Sequence, residues 1–163
     1  MKNNIRRYLA CDLGAESGRL IRGILENGRL FLDEIHRFQN IPVRSGDSLH
    51  WDLSSLQDEI SVGLKKAGAL GESFESISCD SWGAANVLYD SQGTHTNPTS
   101  HHRDPRTAEG VKNIFKRLPW ESIFMESGIQ FMPLNALFHM GAETSDRLNA
   151  AATFGGVGDA ANH

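Results

Sequence analysis

The dipeptide Asn27-Gly28 lies between two apolar runs, "RLIRGILE" (19–26) and "RLFLDEIHRF" (29–38), and it narrows the fold more than any other feature. Both residues tolerate positive φ, which a two-residue hairpin turn requires, so the runs are expected to pair as antiparallel strands. Leu30, Leu32 and, less regularly, Ile35 and Phe38 form the apolar set of the later run. Residues 7–12 read as a preceding strand ending at Asp12, followed by a turn that carries Gly14 and Gly18. Three strands joined by tight turns exclude a Rossmann opening, in which the first glycine turn leads into a helix.

From Ser54 the period changes. Leu56, Ile60 and Leu64 repeat at helical spacing, Ser55 and Asp58 form a loose capping box, and the helix should end near Gly68. "FESISCD" (74–80) alternates as a strand that ends at a second acid, Asp80, and "NVLYD" (86–90) is a shorter strand turned by Ser-Gln-Gly at 91–93. Residues 94–105 are polar and loop-like. "TAEGVKNIFKRL" (107–118) is amphipathic through Ala108, Val111, Phe115 and Leu118, and Pro119 stops it. Further helical pieces are expected at 120–126 and 134–149, divided by Gly128 and Pro133, and "TFGGVGDAANH" has no regular pattern. The order β-β-β-α-β-β-α-α-α is that of an α/β domain with a mixed sheet.

A length of 163 residues suggests one domain and allows roughly 70% of the unfolded chain's surface to be buried. The balance of 16 Lys and Arg against 20 Asp and Glu speaks against a dedicated nucleic-acid binder and favours a small metabolite or a protein as partner. Cys11 and Cys79 belong to no Cys-x-x-Cys pair, and the expectation is two buried, reduced thiols. Asp12 interrupts the first apolar run too early for a signal peptide, and no run approaches the length of a membrane span. A soluble, cytoplasmic protein is expected.

Asp12 and Asp80 close two strands separated by one helix. If those strands are neighbours and parallel, both carboxylates leave the sheet at its carboxyl edge, where open α/β sheets bind ligands. The loop Asp12-Leu13-Gly14-Ala15-Glu16-Ser17-Gly18-Arg19 has the parts of a phosphate site: glycines, consecutive amides, a hydroxyl and a cation. It lacks the Gly-Lys-Ser/Thr of a Walker loop, so an ordinary hairpin remains open. An Asp beside such a loop commonly holds Mg²⁺ through water. In "DSWGAAN" (80–86), Trp82 offers a ring that stacks on sugar C–H surfaces and Gly83 admits a ligand against the backbone, although a core Trp beside a bulge fits equally. "HHRDPRT" (101–107) is read as a polar loop with ion pairs among Arg103, Asp104 and Arg106, and "GGVG" (155–158) as a flexible end.

Taken in order, "YLACDLGAESGRL", "EIHRFQN", "LHWDL", "SISCDSWG", "RDPRT" and "ESGIQFMPLNALF" resemble the N-terminal part of the rhamnulokinase group of FGGY carbohydrate kinases. The resemblance covers nearly the whole chain and weakens after about residue 141. It implies a ribonuclease-H-like domain of the actin-like ATPase type over 1–163, incomplete at its C-terminal end. It further implies ATP and Mg²⁺ as cofactors and phosphorylation of L-rhamnulose at O1. Asp12 would be the acid near the metal, acting through water; Ala15, Glu16, Ser17, Gly18 and Arg19 the ATP-phosphate loop; Gly83 and Trp82 the sugar-contacting turn.

The family usually carries Trp-Gly-Val-Asp where this chain has Trp-Gly-Ala-Ala, with Ala85 in the acid's place. Three glycines near the end suggest poor order there. The family's catalytic base belongs to a His-Asp-Thr segment beyond residue 163, so no catalytic residue is assigned on this chain and a polypeptide supplying a second domain is an expected partner. Two other readings stay open: a non-catalytic sugar- or phosphate-binding module, and an inactive relic.

Overall fold

The computed structural model describes residues 5–96 and 98–162. Along the chain run β1 (Arg6–Leu13), β2 (Ser17–Glu26), β3 (Arg29–Gln39), β4 (Val43–Ser45), β5 (Ser48–Trp51), α1 (Leu53–Gly68), β6 (Ser76–Ser81), β7 (Asn86–Tyr89), β8 (His95–Thr96), β9 (Thr99–Ser100), α2 (Thr107–Phe115), α3 (Trp120–Ser127), α4 (Ala136–Gly141), α5 (Ser145–Ala150), β10 (Thr153–Gly156) and α6 (Val157–Asn162). These elements divide into two compact units, one built from the residues through Ile41, Asp52–Trp82 and those from Gly158 on, the other from Pro42–Trp51 and Gly83–Val157.

The first unit is a four-stranded sheet of order β3-β2-β1-β6 with α1 on one face. β1 pairs antiparallel with β2 and β2 with β3, as the Asn-Gly turn requires, and Asn27 and Gly28 have φ 50° and 77°. β1 pairs parallel with β6, so the sheet is mixed. Leu9, Cys11 and Leu13 of β1, Leu20 of β2 and Phe38 of β3 are buried together with Leu53, Leu56 and Ala67 of α1. Burying each large side chain contributes about 1.5–3 kcal/mol. Close approach of the helix depends on Gly63, whose absent Cβ would stand 3.1 Å from that of Leu20.

Three local expectations are corrected in this unit. α1 is capped by Asp52, whose carboxylate accepts the Ser55 amide at 2.9 Å, so the helix starts before the supposed capping box. Its buried stripe is Leu53, Leu56, Gly63 and Ala67, whereas Leu64 is 40% exposed; glycine and alanine at the closest approach conceal that stripe from a count of large apolar residues. In β3 the register steps from Leu20↔His36 to Ile21↔Glu34, leaving Ile35 without a partner. That bulge is why the apolar alternation falters there, and beyond it Leu30 and Leu32 are 61% and 67% exposed.

In the second unit β7 is the buried strand, with Val87, Leu88 and Tyr89 inside and β10 and β8 on its two sides. β5 pairs with β4 and β9. Three expectations are corrected here as well. The supposed loop 94–105 contains β8 and β9 and buries Thr99, Ser100, His101 and Asp104. The helical stretch 134–149 is two helices, broken before Thr144, whose hydroxyl caps α5 by accepting the Arg147 amide at 3.3 Å. The tail "TFGGVGDAAN" is ordered: Thr153–Gly156 forms β10 against β7, Val157 is 1% exposed and α6 follows.

α2 also turns a different face inward from the one its large residues suggest. Thr107 and Gly110 are buried, while Phe115 is 39% exposed. Gly110 is the contact point with α4: a Cβ there would lie 1.8 Å from the Phe138 carbonyl oxygen. Gly110→Ala is therefore expected to destabilise the chain by about 3 kcal/mol or more, since the obstacle is backbone and cannot rotate away. Gly68→Ala, whose Cβ would meet only open space, should be neutral or stabilise by up to about 1 kcal/mol. Urea unfolding of the two variants measures the contrast, and equal effects would contradict this packing.

Candidate functional site

Parallel pairing of β1 with β6 puts Asp12 directly opposite Asp80 at the carboxyl ends of both strands. The antiparallel ladder continues the row, with Asp12 opposite Arg19 and Arg19 opposite Arg37. Residues in register project to the same side, so Asp80, Asp12, Arg19 and Arg37 form one line across the sheet, two negative charges followed by two positive. Arg19 forms an ion pair with Asp12. Arg37 donates to Glu34 from Nε at 3.0 Å and Nη2 at 2.5 Å, and that contact first, then the charges of Arg37 and Arg19, holds the Glu34 carboxyl below its usual range. The Asp80 carboxylate accepts the Ser81 amide at 2.9 Å.

The hairpin between β1 and β2 is drawn tight by its own backbone. The Gly14 amide donates to the Ser17 carbonyl at 2.9 Å, and a Cβ at Gly14 would lie 2.8 Å from that oxygen. Asn40, buried at the end of β3, holds the turn from outside: its Nδ2 donates to the Gly14 carbonyl at 3.0 Å and its amide to the Glu16 carbonyl at 3.0 Å. Among the described residues the amides of Ala15 and Glu16 have no hydrogen-bond partner, so the tip presents two adjacent N–H donors. Gly18 has a packing reason of its own, because a Cβ there would overlap the Phe38 ring at 2.2 Å. Asn40 was not singled out from the sequence; the available signal was an amide side chain at a strand end, with donors to spare for a neighbouring turn.

Of the two residues expected to meet a sugar, Trp82 belongs to the first unit and Gly83 to the second. A Cβ at Gly83 would meet nothing within 4 Å, and the unusual backbone is one residue later, at Ala84 with φ 63°. Ala85 is 3% exposed, packed as an apolar core residue. The sequence did not suggest the cavity of about 250 Å³ in the second unit, lined by Ala84, Trp120, Ile123, Ile129 and Phe138. The ring of Phe131 meets those of Trp120 and Phe138 edge-on at 5.5 and 5.4 Å.

"HHRDPRT" departs from the expected ion-pair loop. The Asp104 carboxylate, 1% exposed as a residue, accepts the Leu49 amide at 2.7 Å and the Arg106 amide at 2.8 Å, making it a backbone organiser. Arg106 instead pairs with Glu143 at 2.7 Å, which also receives Arg147 at 3.0 Å. His101 lies between Trp51 and His102, with ring centroids 4.1 and 4.2 Å away, and its Nδ1 accepts the Arg103 amide at 2.9 Å. Among the described residues no group of three His, Cys, Asp or Glu is placed to hold a metal ion by itself.

Burial, then the nearby charges of His102 and Arg103, pushes His101 down to about 4, against a partial opposing pull from Asp104. His102 is lowered by burial and Arg103, and His139 by burial and Arg106. The folded chain thus holds neutral rings, and the unfolded chain binds protons first. Stability is complete above about pH 6.5 and falls as the pH drops towards 4. His101 alone should remove about 2 kcal/mol by pH 5, and His101→Gln should flatten the dependence. Urea midpoints at pH 7 and pH 5 measure this; midpoints that do not move would exclude a buried neutral histidine.

Comparison with known proteins finds no matching family model. The chain is similar to curated rhamnulokinases: that of Enterococcus faecalis is 37% identical over 148 residues, covering 90% of this chain and 30% of the relative. That of Mannheimia succiniciproducens is 39% identical over 144 residues, covering 87% and 30%. The chain therefore spans about a third of the length of these relatives. Among solved structures, a xylulose kinase from Rhodospirillum rubrum superposes with a TM-score of 0.78 at 18% identity, over 96% of this chain and 34% of that one. A gluconate kinase from Lactobacillus acidophilus gives 0.76 at 11%, over 94% and 32%. At those identities the structures speak for the fold alone.

Proposed function

This chain belongs to the FGGY carbohydrate-kinase family, and from that premise we propose that it forms the phosphate-binding region of a rhamnulokinase, which transfers a phosphoryl group from ATP to O1 of L-rhamnulose. The observation that carries the reading is the hairpin at the carboxyl edge of the sheet, with the Ala15 and Glu16 amides open beside Asp12 and Arg19.

In this reading the Ala15, Glu16, Ser17 and Gly18 backbone and the Ser17 hydroxyl receive the nucleotide phosphates, and Arg19 supplies positive charge. Asp12 would hold Mg²⁺ through water; a carboxylate at a strand end, half-exposed and free to keep a hydrated ion at arm's length, fits that ion's reluctance to shed water. ATP with Mg²⁺ supplies the transferable phosphoryl group and offsets its charge. Asp12 would exchange its Arg19 partner for the hydrated cation, leaving Arg19 for a phosphate oxygen. Such a pair in contact with solvent contributes only about 0–1 kcal/mol, so the exchange is cheap. Asn40 keeps the turn closed and the two amides aligned, an orienting contribution made before any ligand arrives. Gly83, with open space at its Cα, and Trp82 are proposed to meet the sugar. The residues described are proposed to bind the nucleotide phosphates and the sugar, and the cytoplasm is proposed as the location.

The ion pair between Arg19 and Asp12 also supports a second reading, a non-catalytic phosphate- or sugar-binding module in which the loop keeps its internal salt bridge. Thermal unfolding with and without MgATP tests the main proposal. MgATP at about 100 times its dissociation constant should add about 2.7 kcal/mol, and Asp12→Ala should remove the Mg²⁺-dependent part while leaving a residual response to ATP. No response to MgATP at millimolar concentration sinks the phosphate-loop assignment. A response to L-rhamnulose without one to MgATP selects the module.

A further inference from the structure

The face of the first sheet opposite the charged row carries a pair of groups that phosphoryl transfer does not use. Cys11 of β1 and Cys79 of β6 are register partners in the parallel ladder, and both are free thiols. Neighbouring strands lie about 4.8 Å apart, which falls inside the Cα separation a disulfide spans. Cys11 is 2% exposed, whereas Cys79 is half-buried on β6, the last strand of the sheet, so a small solute reaches Cys79 first.

We propose that Cys11 and Cys79 form an oxidant-sensitive dithiol that closes to a disulfide joining β1 to β6 in response to a peroxide. In the first step the Cys79 thiolate attacks one peroxide oxygen, the O–O bond breaks, and hydroxide leaves and takes up a proton as water, giving a Cys79 sulfenic acid. In the second step the Cys11 sulfur attacks the Cys79 sulfur and the S–O bond breaks. The hydroxide then departs with the Cys11 proton as a second water. The two thiols lose two electrons and one peroxide gains them. The resulting bond fixes the strands one residue before Asp12 and Asp80, at the edge where the charged row begins.

The test titrates the full chain with hydrogen peroxide and follows free thiols and intact mass. One equivalent should remove both thiols, leave a monomer two hydrogens lighter, yield a tryptic species linking Cys11 to Cys79, and be reversed by dithiothreitol. In Cys11→Ser the reaction should stop at a Cys79 sulfenic acid that a dimedone probe captures; should that variant fail to fold, the wild-type thiol count and peptide map decide alone. Loss of a single thiol, accumulation of sulfinic acid at Cys79, or disulfides between chains would each overturn the proposal.

Discussion

The parallel pairing of β1 with β6 is the constraint on which the first unit depends. β1 could pair with β2 through a local turn, but its partnership with β6 closes a loop of more than sixty residues and takes effect only once α1 has crossed over. Loop closure becomes more unfavourable only slowly with length, and the crossover helix α1 packs on β2 and β3 of the same sheet. That one register fixes two chemistries at once. It sets Asp12 beside Asp80 on one face and Cys11 beside Cys79 on the other, because successive residues of a strand point to opposite sides. A slip of one residue would exchange them, turning carboxylates to the apolar face and thiols to the other. The buried Leu9, Cys11 and Leu13 oppose such a slip.

Much of this was legible in the sequence, for identifiable reasons. Asn27-Gly28 announced its hairpin because few residue pairs adopt two positive φ values, and Asp12 and Asp80 announced strand ends because acids interrupt apolar alternation. What escaped reading shares one cause: contacts made by small residues. Gly63, Ala67 and Gly110 are the points where elements come closest, yet their side chains add nothing to a hydrophobic pattern. The helix faces deduced from Leu64 and Phe115 were therefore rotated away from the true ones. The tail misled for the same reason. Its glycines suggested disorder, whereas Gly155 and Gly156 pair with Val87 and Asn86, and the Gly158 amide donates to the Ser81 hydroxyl at 2.8 Å.

The candidate site was legible as a place but not as an arrangement. The glycines that suggested anion binding have conformational duties: Gly14 admits the Ser17 carbonyl and Gly18 admits the Phe38 ring. Glycine spacing by itself could not separate a phosphate loop from a hairpin, since both need the same close approaches. The features that favour a ligand lie elsewhere, in the unpartnered amides of Ala15 and Glu16 and in Asn40, whose backbone and side-chain amides both donate to the turn.

Electrostatics sharpens the distinction further. A row ordered negative, negative, positive, positive across one sheet has adjacent like charges at both ends and a single favourable junction, Asp12 with Arg19. Glu34 relieves the cationic end by pairing with Arg37. On the described residues no cation does the same at the anionic end, where the Asp80 carboxylate is met by a backbone amide only. A row of this kind, half-exposed and only partly compensated, gains little stability for the fold, because solvated pairs of this type contribute about 0–1 kcal/mol. In the proposed function, a ligand that carries both signs, such as a polyphosphate with its hydrated cation, would match this row: the cation would relieve the Asp12–Asp80 repulsion and the phosphate would take over Arg19. Neutralising only one end would leave the other more strained than before. Under the proposed function, charge alone would make nucleotide and metal bind better together than either one alone.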